Sequence, residues 1–258
     1  MKILVCIKQV PDSTMRIKVA PDRRSIATEG ITWSISPYDE YAVEMALERK
    51  DVDPSTIVSV VTVGPAGARD ALRAALAMGA DEATFVTSDE AVAPLVIARA
   101  LAKIVAQERP DLVLCGRQAS DDDQGFVGPA VAAILGWPHV ATATRFAPAN
   151  GGVDIWRETE GGHEVWRATG PVLVTVQKSE KEPRYASLPG IMKAKKKAIP
   201  ELPLSSLGVD MNAPKIEVVK LEPPPQRGGG KVLKSANDDA ASVAAELVRL
   251  LREEAKVL

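Results

Sequence analysis

Leu112-Val113-Leu114-Cys115-Gly116 is a short, uninterrupted apolar run stopped by a glycine, and runs of the same kind recur along the chain. A strand covered by helices on both faces reads this way, because neither face meets water and no polar alternation is needed. Lys2 to Ile7 and Ile57 to Val63 repeat the pattern, and Glu82 to Thr87 reads as another short strand. Helical spacing fills the intervals. Ser36-Pro37-Tyr38-Asp39 is a helix start: a hydroxyl cap, proline in the first turn, and acids where the helix dipole favours them. This helix is expected to reach about Lys50. Ala71, Leu72, Ala75 and Leu76 recur three and four apart until Gly79 stops them, and Leu95, Ala100, Leu101, Ile104 and Val105 mark a longer helix over 92–107. Strands alternating with helices in this rhythm predict an α/β fold with a doubly wound, mostly parallel sheet.

Three regions break the rhythm. Residues 14–33 alternate loosely around Pro21-Asp22-Arg23 and read as an antiparallel excursion. Within 139–176, Val153-Asp154-Ile155-Trp156 and Val172 to Val176 flank Gly161-Gly162 and predict an appended β-hairpin, with Trp156 and Trp166 as its structural aromatics. From Pro200 to 232 the composition is that of a linker, with Pro203, Pro214, Pro223-Pro224-Pro225 and Gly228-Gly229-Gly230. Asn237-Asp238-Asp239 then caps a helix whose Val243, Leu247, Leu250 and Leu251 form one stripe. That helix either folds back on the parent sheet or packs on another chain. The expected division is a domain over 1–199 and an extended arm with its helix over 200–258.

Composition narrows the function. A chain of 258 residues buries roughly 70–75% of its unfolded surface in one large unit and needs neither metal nor disulfide to fold. Cys6 and Cys115 both sit in apolar runs, where a thiol behaves as a small hydrophobe, which suits a reducing compartment. A net charge of −2 offers nucleic acid no bulk attraction. No apolar run is long enough to span a membrane, and the first residues read as the edge of a sheet rather than a signal peptide. His139 and His163 are too isolated to suggest a ligand pair, and nothing resembles a nucleophilic triad.

Two stretches carry chemistry. Arg117-Gln118-Ala119-Ser120-Asp121-Asp122-Asp123-Gln124-Gly125-Phe126-Val127-Gly128 joins a buried strand to a helix, at the end of the sheet where open α/β folds bind ligands. Gly125 and Gly128 allow backbone amides close to a phosphate, and the helix start adds a positive dipole end. The three aspartates must then turn away to cap backbone groups. They are poor metal ligands as a set, since consecutive side chains point in different directions. The second stretch, Glu182 to Lys197, contains two prolines and a glycine that break any regular element, with Leu188, Ile191 and Met192 beside a lysine run. It is either a solvated basic turn or a loop dressed to meet a partner.

Pro-Arg-Tyr-Ala-Ser-Leu-Pro over 183–189 and Ile-Met-Lys-Ala-Lys-Lys-Lys over 191–197 resemble the signature of the electron transfer flavoprotein beta subunit family. The 117–128 loop resembles that family's Gln-Ala-Ile-Asp-Asp-Asp pattern, with Ser120 in place of isoleucine, Phe126 in place of glutamine and Ser36 in place of asparagine. The resemblance implies an adenine nucleotide alpha hydrolase-like fold and a non-catalytic subunit of an electron carrier. It further implies an alpha subunit that holds most of the redox FAD and is embraced by the C-terminal arm. The implied nucleotide, AMP or a second FAD in the bifurcating branch, would touch Cys6, Ser36, Pro37, Tyr38, Asp39, Val63 and the Arg117 to Gly128 loop. Asp122 leans towards AMP. Acyl-CoA and related dehydrogenases would dock on Leu188, Ile191 and Met192, with Lys193, Lys195, Lys196 and Lys197 at the rim, and a quinone-linked oxidoreductase would take the electrons onward. Glu158, in Arg157-Glu158 beside Gly161-Gly162, would pair with the mobile flavin domain, or is an exposed surface acid. The implied location is the cytoplasm in bacteria or archaea and the mitochondrial matrix in eukaryotes. The alternatives are a bifurcating subunit that oxidises NADH and a stand-alone nucleotide-binding module of the universal-stress type, though the latter explains neither the 183–197 stretch nor the arm.

Overall fold

The computed structural model describes residues 1–88, 92–179, 181–213, 218–225, 229–234 and 239–258. They form two compact units, Met1–Val219 and Lys220–Leu258.

In the first unit the strands are β1 (Lys2–Cys6), β2 (Gln9–Pro11), β3 (Trp33–Ile35), β4 (Ile57–Gly64), β5 (Glu82–Thr87), β6 (Leu112–Gly116), β7 (His139–Ala149), β8 (Gly152–Thr159), β9 (Gly162–Ala168), β10 (Val172–Val176) and β11 (Glu201–Pro203). The helices are α1 (Pro37–Val52), α2 (Arg69–Met78), α3 (Pro94–Glu108), α4 (Val127–Leu135) and α5 (Leu188–Lys196). Among the described residues, nine strands make one sheet in the order β11-β5-β4-β1-β6-β10-β7-β8-β9. From β11 to β7 every pairing is parallel, and β8 and β9 continue antiparallel.

Alternation along the central strands separates two apolar layers. Ile3, Val5, Leu112, Leu114, Val172 and Val174 face α1, α2 and α5. Leu4, Val113 and Leu173 face α3 and α4 on the other side. Helices on both faces explain why these strands carry continuous apolar runs, as the doubly wound reading requires.

Several expectations are corrected. β1 is not an edge but lies between β4 and β6, paired on both sides. Val172 to Val176 is not part of an appended hairpin: β10 is fully buried and sits between β6 and β7. The hairpin of β8 and β9 turns at Glu160-Gly161, with Gly162 already paired to Thr159, and extends the same sheet through β7. The 14–33 excursion returns as β3 against β2 in a small antiparallel sheet, with a Val19–Ile26 bridge within it. Residues 201–203, read as linker, add the edge strand β11 to β5, and Leu204 is buried behind it.

The second unit carries α6 (Ala240–Glu253), none of whose residues is buried. Asp239 caps it, accepting from the backbone N–H groups of Ala241 and Ser242 at 3.1 Å each. Asn237 and Asp238, named with it as caps, lie outside the described residues, as do Pro214 and Gly228.

Candidate functional site

Parallel strands leave their carboxyl ends at one rim of the sheet, and the loops leaving β1, β4 and β6 meet there. Cys6 and Cys115 are register partners on β1 and β6. Both are buried, and they share an apolar cluster against which Val63 and Val127 pack. Hydrogen bonding with Cys6, then burial, pushes the Cys115 thiol well up, so this pair is a floor rather than a nucleophile.

Above that floor stands Asp39, only 7% exposed. Its two carboxylate oxygens accept from the backbone N–H of Lys8, after β1, and of Gly116, ending β6, each at 2.7 Å. One side chain on the first turn of α1 therefore clips together two strand ends. Burial pushes its carboxyl up to about 7, while the two N–H donors and the Lys8 charge pull the other way. Gly116 is obligatory beside it. A Cβ there would press into an Asp39 carboxylate oxygen and lie 2.8 Å from the Asp39 backbone nitrogen.

The acids of the loop after β6 are exposed, and instead of mainly capping backbone groups they pair with side chains. Lys8 Nζ donates to Asp121 at 2.7 Å and to Asp122 at 2.9 Å. Burial pulls the Lys8 ammonium down, but these two bonds outweigh it and hold the group above its ordinary value. Asp123 accepts from Gln118 Nε2 at 2.8 Å. Asp123 and Gly125 both adopt positive φ, at 50° and 57°, the left-handed turns that swing the chain back toward the start of α4. At Gly128 a Cβ would lie 2.8 Å from Thr175 Cγ2, so glycine seats α4 on β10.

The residues fit an anionic nucleotide by three observations. The aspartates are paired with chain partners, the first turn of α4 has no side-chain cap, and Ser36 Oγ is fully buried with no hydrogen-bond partner among the described residues. That orphaned hydroxyl corrects one expectation, since Ser36 occupies the N-cap of α1 without capping it. Arg117 and Phe126 are both exposed on the loop, Phe126 at the N-cap position of α4. Among the described residues, no group of three or more His, Cys, Asp or Glu is placed to hold a metal ion.

The second stretch is a helix, which corrects the reading of an irregular loop. Ser187 Oγ accepts from the Gly190 N–H at 3.2 Å, and Pro189 falls in the first turn, where a missing N–H costs nothing. Positions 188, 191, 192 and 195 share one face of α5. Leu188 is 74% exposed, Met192 52% and Ile191 37%, while Ala194, flanking that face, is buried against the core. Lys193, Lys195 and Lys196 are exposed, as a rim requires. Lys197 is not at the rim: its Nζ donates to the carbonyls of Ala80 and Asp81 at 2.7 and 2.8 Å.

Sequence reasoning missed what holds this helix. Arg184 reaches Glu44, a buried acid in the middle of α1, through both its guanidinium and its own backbone N–H. Glu44, Glu48 and Asp51 lie on one face of α1. That spacing was visible, but it reads as a solvated acidic stripe until a basic segment is laid along it. Glu158, on β8, is exposed and accepts from Gln177 Nε2 at 3.1 Å. It lines a cleft of about 1090 Å³ together with Tyr38, Glu44, Trp156 and Arg184. Trp156 holds Arg145 over its ring, 4.6 Å from the centroid. Trp166, by contrast, is half exposed on β9.

A sequence model described as the electron transfer flavoprotein domain matches residues 24–207. A protein of Bradyrhizobium diazoefficiens named electron transfer flavoprotein subunit beta is 40% identical over 258 residues, covering all of both chains. A human protein of the same name is 39% identical over 247 residues, covering 94% of this chain and 96% of its own. A rice protein named electron transfer flavoprotein subunit beta, mitochondrial, is 38% identical over 262 residues and the full length of both. This chain belongs to the electron transfer flavoprotein beta subunit family.

Proposed function

We propose that this chain is the beta subunit of a heterodimeric electron carrier that binds AMP at the rim of its sheet and presents α5 to its electron donors. The electron-transfer role follows the family. An alpha subunit would hold most of the FAD, and that flavin supplies the redox chemistry. The residues of this chain bind, orient and dock.

The observation that carries the reading is the outward face of α5. A helix held to its own domain by buried Ala194 leaves Leu188, Ile191 and Met192 in solvent beside three lysines. Exposed apolar side chains rimmed by charge suit an anchor that enters a partner's pocket, with methionine adapting to several partners. Acyl-CoA and related dehydrogenases are the proposed donors, with Lys193 and Lys196 aiding encounter, and a quinone-linked oxidoreductase is the proposed acceptor. Glu158, on the wall of the large cleft, is the proposed contact for the flavin-bearing domain of the alpha subunit. The nucleotide would take its phosphate contacts from the backbone between Gly125 and Gly128 and from Arg117, with Ser36 Oγ turned toward it. Of the segment expected as an arm from 200, residues 201–203 belong to this chain's own sheet, with Leu204 buried behind them, and the part proposed for the alpha subunit is the remainder with α6. Among the described residues no helix is long and apolar enough to cross a membrane.

Co-expressing the chain with its alpha partner, purifying the complex, and counting the nucleotides released on denaturation tests this reading. One FAD and one AMP per heterodimer is the expected result. Two FAD and no AMP would replace it with the bifurcating, NADH-oxidising reading, and FAD alone would mean that Ser120, Phe126 and Ser36 have emptied the second site. A chain that purifies as a stable monomer and never captures the alpha subunit would point to the stand-alone module instead.

A further inference from the structure

The direction in which a docking helix points depends on how the chain enters and leaves it, and on α5 both ends are pinned by named groups. At its exit, Arg73 Nη1 donates to the carbonyls of Ala194 and Lys197 at 2.5 Å each, and Lys197 returns its ammonium to the end of α2 through Ala80 and Asp81. The Ala194 carbonyl also accepts from the Lys197 N–H that closes the helix, so Arg73 grips the last turn of α5 and the residue just past it. These bonds fix its C-terminal end to α2.

The entry is held differently. Arg184 donates from its backbone N–H to Glu44 Oε2 at 3.0 Å, from Nε to the same oxygen at 2.8 Å, and from Nη2 to Glu44 Oε1 at 2.8 Å. Nη2 also reaches Asp51 Oδ2 at 2.7 Å. Glu44 is 5% exposed, on the buried middle of α1, so the carboxylate receiving this fork is itself immobile. Two lighter contacts precede it on the same helix: Lys181 pairs with Glu48 at 2.7 Å, and Glu182 accepts from the Tyr41 hydroxyl. Both Lys181 and Glu182 are largely exposed, and exposed pairs of that kind contribute little. Arg184 is therefore the anchor of the segment. A planar guanidinium held by two carboxylates, with its own main chain tied to one of them, fixes both the place and the direction of the backbone. Only residues 185–187 then separate this fixed point from Leu188. Of these, Ala186 packs on the core, Ser187 caps the helix and Tyr185 stands 98% exposed.

We infer that Arg184 is a positioning residue for partner docking: by its fork on Glu44 and Asp51 it sets the angle at which α5 offers Leu188, Ile191 and Met192. It need not touch the partner. This inference rests on the proposal that α5 is the docking element, and its role is to pre-organise that element so that ordering it is not charged against association. A lysine at 184 keeps the charge but loses the fork, and a point charge cannot fix a plane.

The test uses the complex with its alpha subunit and a cognate dehydrogenase, with rates referred to flavin-loaded carrier. Four carriers are compared with the parent: Leu188→Ala, Arg184→Lys, the pair Arg184→Met with Glu44→Met, and that pair with Leu188→Ala added. The methionine pair removes the buried charge along with its partner, so folding is not lost to an unpaired carboxylate. The expected result for Arg184→Lys and for the methionine pair is a KM for the carrier raised about tenfold, with little change in kcat and in flavin content. Adding Leu188→Ala to the methionine pair should raise KM by less than Leu188→Ala does alone, because a misaimed anchor is already partly lost. If Leu188→Ala itself leaves KM unchanged, the docking reading of α5 falls and this inference with it. If Leu188→Ala raises KM while both Arg184 carriers match the parent, docking stands and the inference is overturned. Full multiplication of the two effects would also overturn it, since Arg184 would then act independently of the anchor.

Discussion

Replacing Gly116 by alanine tests whether the rim of the sheet is as tightly built as its geometry states. The added Cβ would meet an Asp39 oxygen, the Asp39 nitrogen at 2.8 Å and the Tyr38 carbonyl carbon at 2.9 Å. Two of these three are backbone atoms of the α1 amino terminus, so no side-chain rotation relieves them. Overpacking of this kind costs about 1–3 kcal/mol. The same displacement stretches the Gly116 N–H bond to the Asp39 carboxylate, and a hydrogen bond to a charged group contributes about 1.5–3 kcal/mol. One movement does both, so the terms overlap and the expected loss is about 2–4 kcal/mol. At the entropy of unfolding of a domain this size, that lowers the melting temperature by about 5–15 °C. Because α1 and the 117–128 loop part company, released AMP should fall below one per complex. The control is Gly162→Ala, where no atom lies within 4 Å and φ is not positive; its expected effect is within about 0.5 kcal/mol. Calorimetry of the heterodimer and nucleotide counting read both outcomes. A Gly116→Ala complex that melts with the parent and keeps its full nucleotide would refute the close approach of α1 to β6 on which the site is built.

Leu188→Ala should raise the dehydrogenase KM about thirtyfold while flavin stays bound, since seating a leucine in a pocket is worth roughly 2 kcal/mol; unchanged steady-state transfer would remove Leu188 as the anchor. Asp39 predicts a pH dependence. Its folded pKa of about 7 stands above the 3.8 of a free side chain, so its contribution is complete below about pH 4 and is withdrawn as pH rises through about 7. The urea midpoint should therefore fall between about pH 5 and pH 8 more steeply in the parent than in Asp39→Asn, and equal slopes would show that the buried carboxyl does not titrate there. Phe126→Gln restores an amide beside the first turn of α4 and should increase the AMP retained through purification; identical retention would mean that position 126 does not face the nucleotide.

Much of the fold was legible because burial on both faces leaves a direct mark in sequence. Leu112 to Gly116 and Glu82 to Thr87 match their strands end for end. What the pattern could not give was strand order. Val172 to Val176 reads as apolar whether it closes a hairpin or fills the middle of a parallel sheet, and only pairing with Leu112 to Gly116, about sixty positions earlier, decides. Helix α5 was hidden for a different reason. The same serine-then-proline signal that marks α1 recurs at Ser187 and Pro189, but beside Pro183 and Gly190 that second proline reads as a breaker. The outcome inverts the expectation, since Ser187 caps its helix and Ser36 does not. Of the candidate site, the 117–128 loop and the exposed apolar trio were readable as local composition. The Asp39 clip and the Arg184 fork were not, because each joins residues whose proximity exists only after folding.

The place of β10 has a consequence for how the chain is made. It is the last of the central strands to be synthesised, yet it lies between β6 and β7. Until residue 176 has left the ribosome, the meander of β7, β8 and β9 has no strand through which to join the half of the sheet built around β1. The nascent chain must therefore leave the edge of β6 unpaired for about sixty residues and that of β7 for about twenty-five, and both are open to wrong pairing. A chain cut after Ala168 keeps nearly all the apolar runs and both cysteines, but it lacks the strand that makes them one sheet.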